Sequence, residues 1–517
     1  MDFTDEMQYL YQFKSIYLNN KLFVDDYFIQ QFVYLYLIYP IKFIKSFYPT
    51  ISYLLLMRVC SLILLVVVSF IIIKKFKNIE SLIILLVFFN YFDRLGITPN
   101  YNNFGYIFGF LITYKFIYST ELKLISLSIL LVFLLSIYPT IGIFFYLFIL
   151  FNLRSVRSCF RLSAITLFFG FFFLVILSFF GILEFNKLYD AIIFSRNISN
   201  FIILSNNKHL ILLTFYIVVF ILIYFYKKNF FLIENVLLNN HKLNLLIYSL
   251  ALLFIILVFF SKYYETFYVL TYLILLVLLI NIKKGEIEKN KFNFFISTIF
   301  LIIIMAFTSG NGIYRTQTAP MFFMPFLIYE LYLSIKSNEN LRKLFIFFFI
   351  FFVTGLFYLQ YTKVYRIEPL LNNNIKLGST NSDFGDINLS KIQSNIYYEI
   401  KNKIILQDHG SLTILGNHPW IYSIFGNQKI ASAMIFNHEF TDEILSLFSK
   451  KNNVTNLIIT NNFKSNSEFN YNLNLYVDSI KDLNFTLIYL DLKIVDTFNE
   501  NNKHQIINPI NYCYKKL

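Results

Sequence analysis

Long apolar runs, broken by short polar or basic interruptions, fill the middle of the chain. The runs 51–73, 80–93, 104–118, 124–137, 140–152, 162–182, 209–226, 244–260, 265–282, 293–309, 318–335 and 344–361 predict about twelve membrane-spanning helices. A helix needs roughly 17–25 apolar residues to cross about 30 Å of hydrocarbon. Pro139 splits the stretch 124–152, which reads as two short helices joined by a tight turn, with a single kinked helix as the competing reading. Residues 1–50 follow a different pattern. "MDFTDEMQYLYQFKSIYLNNKLFVDDYFIQQ" opens with Asp2, Asp5 and Glu6 and carries Asp25 and Asp26 further on. Residues 29–46 contain Pro40, Lys42 and Lys45 among aromatics, so this part reads as two helices lying in the membrane interface rather than as an irregular span. After about residue 362 the apolar runs shorten. β-like stretches at 412–415, 456–460 and 485–491 alternate with helix-like ones at 391–401 and 441–450, the pattern of a small α/β domain. The expected fold is therefore an α-helical polytopic membrane protein with three parts. These are an acidic segment with interfacial helices (1–50), a transmembrane domain (51–361) and a C-terminal α/β domain (362–517).

Composition supports this division. The 517 residues are 57% hydrophobic and 20% aromatic, against roughly 45–50% apolar in a soluble domain. A transmembrane barrel would show short alternating segments instead. The net charge of +14 is not a nucleic-acid footprint, because the basic residues sit in short loops between apolar runs. Five clusters begin at Lys74, Arg154, Lys227, Lys283 and Lys336, and with these spans all of them fall on one side. The positive-inside rule makes that side the cytoplasm. Residues 1–50, the loops 94–103, 183–208 and 310–317, and the C-terminal part then lie outside. An outside N-terminus without a leader predicts that a first span once preceded Met1. Cys60, Cys159 and Cys513 have no metal-like spacing and do not suggest a disulfide framework.

Candidate chemistry concentrates on the predicted outer face. Asp5 and Glu6 lead into a helix-like stretch. They are either an acidic first turn that complements the helix dipole or a base facing an acceptor hydroxyl. Asp25 and Asp26 suit a second carboxylate site for an acceptor or a divalent cation, or a turn and N-cap. Asp93 is a third such carboxylate, with an ion pair to Arg94 as its plainer role. Arg196 and Arg315 sit in outer loops beside spans, where a planar guanidinium fits a phosphate or snorkels to headgroups. Asp408, His409, His418 and Trp420 stand out in "DHGSLTILGNHPWIYSIFGNQK", without metal-like spacing. Span centres are read as nearly free of charge apart from Arg58, which favours chemistry at the outer face over transport through the bundle.

An acidic first outer loop, "TDEMQYLYQFKSIYLNN", precedes interfacial helices, about a dozen spans, and a terminal segment containing "IYYEIKNKIILQDHGSLTILGNHPWIYSIFGNQK". This order resembles the C-type (GT-C) integral-membrane glycosyltransferases that use polyprenyl-phosphate sugars. The resemblance implies a bacterial inner-membrane enzyme with a lipid-linked sugar donor and a glycan or protein acceptor. It also implies Asp5, with Glu6 as close alternative, as base or acceptor-binding group, and Arg315 and Arg196 as holders of the donor phosphate. The departure is the missing span before Asp5. A polysaccharide polymerase or ligase, and a non-enzymatic flippase or transporter of lipid-linked glycans, are the competing readings.

Overall fold

A computed structural model describes residues 5–23, 31–94, 99–118, 124–153, 155–192 and 324–335, together with shorter stretches from 339 onwards. The described chain is mostly helical. Helices α1 (Asp5–Asn19), α2 (Phe32–Phe47), α3 (Tyr53–Lys75), α4 (Asn78–Arg94) and α5 (Tyr101–Thr113) come first. α5 runs on into a π-helical turn at Tyr114–Tyr118. Then follow α6 (Leu124–Ile137), α7 (Pro139–Asn152), α8 (Val156–Phe179), a short helix over 185–192, and α9 (Met324–Ile335).

Local chemistry explains these boundaries. Ser52, Asn100 and Ser155 each accept a backbone N–H three residues on and so cap α3, α5 and α8. Pro139 occupies the first turn of α7, where its missing N–H is not needed, so 124–152 is two helices with Tyr138 between them. α8 stops at Gly181, whose φ of +67° an L side chain rarely adopts. The Gly181 and Ile182 amides then donate to the carbonyls of Ser178 and Leu177, closing the last turn.

α3 and α8 are long and apolar enough to cross a membrane. Neither is a buried core helix. Ile63, Val66 and Phe70 of α3, and Leu167, Phe171 and Phe179 of α8, are 60–83% exposed. Such outward apolar faces suit lipid rather than water. Inward, Val87, Phe88, Phe110, Leu131, Phe145 and Phe326 belong to one continuous core of α3–α9.

Ring contacts sort the helix ends. Phe76, just after α3, lies 5.7 Å from Tyr118 at the end of the α5 turn, and Phe116 lies 5.5 Å from Phe148 near the end of α7. Cys159 in the first turn of α8 donates to the Leu150 carbonyl. This end carries Lys74, Lys75, Lys77, Arg157 and Arg161. The opposite end joins Tyr9 to Tyr101 and Tyr101 to Tyr138 at 6.5 and 5.2 Å. There the Leu22 amide donates to the Ile182 carbonyl, and Lys21 pairs with Glu184 at 2.9 Å. Residues 5–23 thus pack on the end of the bundle opposite Lys74, Lys75, Lys77, Arg157 and Arg161.

Towards the C-terminus, β1 (Asn373–Lys376) and β2 (Asn388–Ser390) pair antiparallel. β3 (Ser411–Leu415), β4 (Lys429–Ser432), β5 (Asn456–Thr460), β6 (Thr486–Asp491) and β7 (Asn511–Lys516) form a five-stranded sheet in the order β4-β3-β5-β6-β7. It is parallel except for β7. The β-like stretches at 412–415, 456–460 and 485–491 are its three central strands; helix-like 441–450 lies outside the described residues.

A close contact between α6 and α7 gives a direct test of packing. A Cβ on Gly142 would sit 2.7 Å from the Leu135 Cα, so α6 and α7 touch backbone to backbone. Gly142→Ala is expected to destabilise the protein by about 1–3 kcal/mol. Gly170→Ala, where the nearest atom is 4.0 Å away, is the matched control. Thermal unfolding of both in detergent would check this, and equal midpoints would refute the close approach.

Candidate functional site

α1 builds the site. Its sequence mixes polar and apolar residues, yet Leu10 through Ile16 are all buried, a full turnover of the helix with no free face. The helix is enclosed rather than laid on a surface. Tyr34 of α2 donates to Gln12 at 3.2 Å, and the Phe13 ring lies 6.2 Å from Tyr53 at the start of α3. The Tyr11 ring meets Tyr422 at 5.1 Å, which brings the segment after β3 onto α1. Gln31, just before α2, accepts the Phe23 amide at 2.9 Å, and Phe23 takes a φ of +58°.

Three lysines gather in this frame. Lys14 is buried, with its Nζ 5.2 Å from the Tyr11 ring centre and 5.8 Å from that of Tyr53. Lys45 Nζ lies 4.1 Å from the same Tyr53 ring and donates to the Pro49 carbonyl at 2.8 Å. Lys42 lies 5.2 Å from the Tyr17 ring and donates to Asn20 Oδ1. Each cation–π contact contributes on the order of 0.5–2 kcal/mol, more as water is excluded. Lys14 and Lys45 thus share the Tyr53 ring as a common neighbour. On the α6 side of α2, burial pushes the Tyr36 phenol well above its ordinary value.

Asp5 opens α1 and Glu6 follows in its first turn; the helical period sets Asp5 on the stripe of Tyr9 and Gln12. The side chains of Asp5 and Glu6 lie outside the described residues, as do Asp25, Asp26, Arg196, Arg315, Asp408, His409, His418 and Trp420. Asp93 falls in the last turn of α4, whose end faces the same side as the Asn100 cap, with its side chain also outside the described set. Among the described residues, no group of three or more His, Cys, Asp or Glu could hold a metal ion. Sequence reading missed Lys14, Lys45, Tyr53 and Tyr422. The signal for the first was Tyr11 three residues before Lys14, one turn away on the same helix face.

One carboxylate lies within a predicted apolar run, between its centre and its C-terminal end: Glu330. This residue is buried in α9 at 3% exposure, inside the run 318–335. Tyr118, at the end of the π-turn, donates to Glu330 Oε1 at 2.7 Å. Its neighbour Tyr329 donates to Glu80 of α4 at 3.3 Å. The physical reason is that a carboxylate tolerates an apolar run when hydroxyls from facing helices solvate it. Two carboxylates and two phenols thus lie toward the end of Lys74, Lys75 and Lys77, opposite the α1 site.

Comparisons with family models, with curated proteins and with solved structures return no match to this chain.

Proposed function

We propose that this chain is a membrane glycosyltransferase that moves a sugar from a polyprenyl-phosphate donor to a glycan or protein acceptor, in cell-surface glycan or glycoprotein synthesis. About twelve spans would set residues 1–50 and a C-terminal α/β domain on the outer face of a bacterial inner membrane. The observation that carries the reading is the enclosure of α1. A helix opened by Asp5 and Glu6 is packed, with a buried lysine, at the bundle end away from the basic loops, and Tyr422 lies against it.

In this mechanism the donor enters from the lipid, and Lys14 and Lys45, with Arg315 or Arg196, hold its phosphate. Asp5 takes the proton of the acceptor hydroxyl. The acceptor oxygen attacks the anomeric carbon, the bond to the phosphate oxygen breaks, and the lipid phosphate leaves with the electron pair, inverting the centre. Membranes carrying the full chain, supplied with a radiolabelled polyprenyl-phosphate sugar and a hydroxyl acceptor, test this. Lys14→Met should raise KM for the donor by roughly tenfold to a hundredfold, the worth of one hydrogen bond to a charged group, with a smaller change in kcat. Wild-type membranes that leave every such donor intact would end the transferase reading.

A second reading, a flippase or transporter of lipid-linked glycans, draws on Glu330. A buried ionisable residue within an apolar span marks a functional position as readily as an outer-face site does.

A further inference from the structure

We propose that α2 docks on the membrane surface and selects anionic phospholipid headgroups there. The inference rests on the membrane reading; it shares Lys45 with the donor-phosphate site, and its test reads lipid association rather than sugar transfer. The two faces of α2 differ in kind. Leu35, Leu37, Ile38 and Ile41 are buried. Phe32 meets Phe173 of α8 at 6.1 Å, and Tyr36 meets Phe133 of α6 at 5.2 Å. Those partners lie one to two turns inside the helix ends, so α2 packs at the end of the bundle. On its other side Tyr39, Phe43 and Phe47, with Tyr48 just beyond, are 62–68% exposed. Spacing by four keeps the three helical rings on one stripe.

Four large rings in a row make a patch that a water-facing surface avoids. At the boundary between headgroups and acyl chains the same rings are at their preferred depth. Charge names the partner. Residues 32–50 hold Lys42 and Lys45 and no acidic residue. Their ammonium groups are tied to Asn20 and Pro49, at the level of the α1 site. A zwitterionic headgroup carries its own cation beside its phosphate, whereas an anionic headgroup presents net negative charge to these lysines. Each lysine near an anionic surface strengthens binding by about fivefold.

The test uses the full chain with Trp420→Phe, which removes its one tryptophan, and Phe43→Trp as a probe. The protein is reconstituted in phosphatidylcholine vesicles with and without phosphatidylglycerol. Emission from position 43 should be quenched by lipids brominated near the top of the acyl chain and shielded from aqueous iodide. Brominated phosphatidylglycerol should quench more than brominated phosphatidylcholine at equal mole fraction. Lys42→Gln with Lys45→Gln should remove that difference, a loss of about fivefold in relative association for each lysine. Quenching by iodide alone would place the stripe in water, and quenching by neither agent would place it under protein; both overturn the proposal. Equal quenching by the two lipids with both lysines present overturns the anionic preference. Sugar transfer is not read in any arm, so an inactive enzyme leaves the test intact.

Discussion

Asp5→Asn is expected to lower kcat for sugar transfer by about 10²–10⁴, the usual contribution of a positioned base, while leaving the protein folded. The fold should survive because Asn serves a helix start as well as Asp does, and because α1 is held by contacts further along, at Gln12, Phe13 and Tyr11. The pH profile separates a base from a structural acid. A base works deprotonated, so wild-type activity falls as pH drops through its pKa, and that acidic limb should vanish in Asp5→Asn. KM for the donor should hardly move, since phosphate binding is assigned to Lys14 and Lys45. Glu6→Gln is the internal control, with a loss below about tenfold if Asp5 is the base. A loss below tenfold in Asp5→Asn and a large one in Glu6→Gln would exchange the two roles. Small losses in both would reduce the acidic opening to dipole compensation at the start of α1.

The parts of the fold that could be read in advance are those set by local rules. Pro139 separates α6 from α7, because a missing N–H acts within one turn; the caps Ser52, Asn100 and Ser155 lie among polar residues outside or at the edge of the apolar runs and are not read from the pattern. Strands β3, β5 and β6 coincide with β-branched runs flanked by polar residues. What could not be read is enclosure. Nothing in "QYLYQFKSIYL" says that Lys14 and Gln12 are buried, because the rings packed on α1 (Tyr34 at Gln12, Tyr53 at Lys14 and Tyr422 at Tyr11) come from three distant segments. Lys42 and Lys45 were visible as obstacles to a span, but the rings beneath them were not. Glu330 was in plain view within "MPFLIYELYLSI". Its meaning depends on Tyr118, 212 positions earlier in the chain, and no pattern along one helix reveals a partner on another.

Glu330→Ala is expected to destabilise the protein by about 1–3 kcal/mol, the penalty for leaving a buried polar group without its partner. The group left behind is the Tyr118 hydroxyl, which donates to Glu330 and sits among Phe76 and Phe326 at 5.7 and 5.0 Å. Tyr118→Phe removes that hydroxyl, so the double variant should lose less than the sum of the two single ones, by about 0.5–3 kcal/mol of coupling. Unfolding midpoints in detergent read the cycle, and strict additivity would mean the two groups do not act together. Glu330→Gln keeps a carbonyl to accept from Tyr118 and should be milder. That variant also decides between the two functions. Glu330 and Glu80 lie toward the end of the bundle away from α1, so a transferase should keep its sugar transfer in Glu330→Gln. A transporter that uses the carboxylate should lose translocation of the lipid-linked glycan at nearly unchanged stability. The π-turn at Tyr114–Tyr118 strengthens the second possibility, since such turns re-aim a side chain at a point of use. Measuring transfer and translocation on the same reconstituted variant therefore separates chemistry at the α1 end from movement through the bundle.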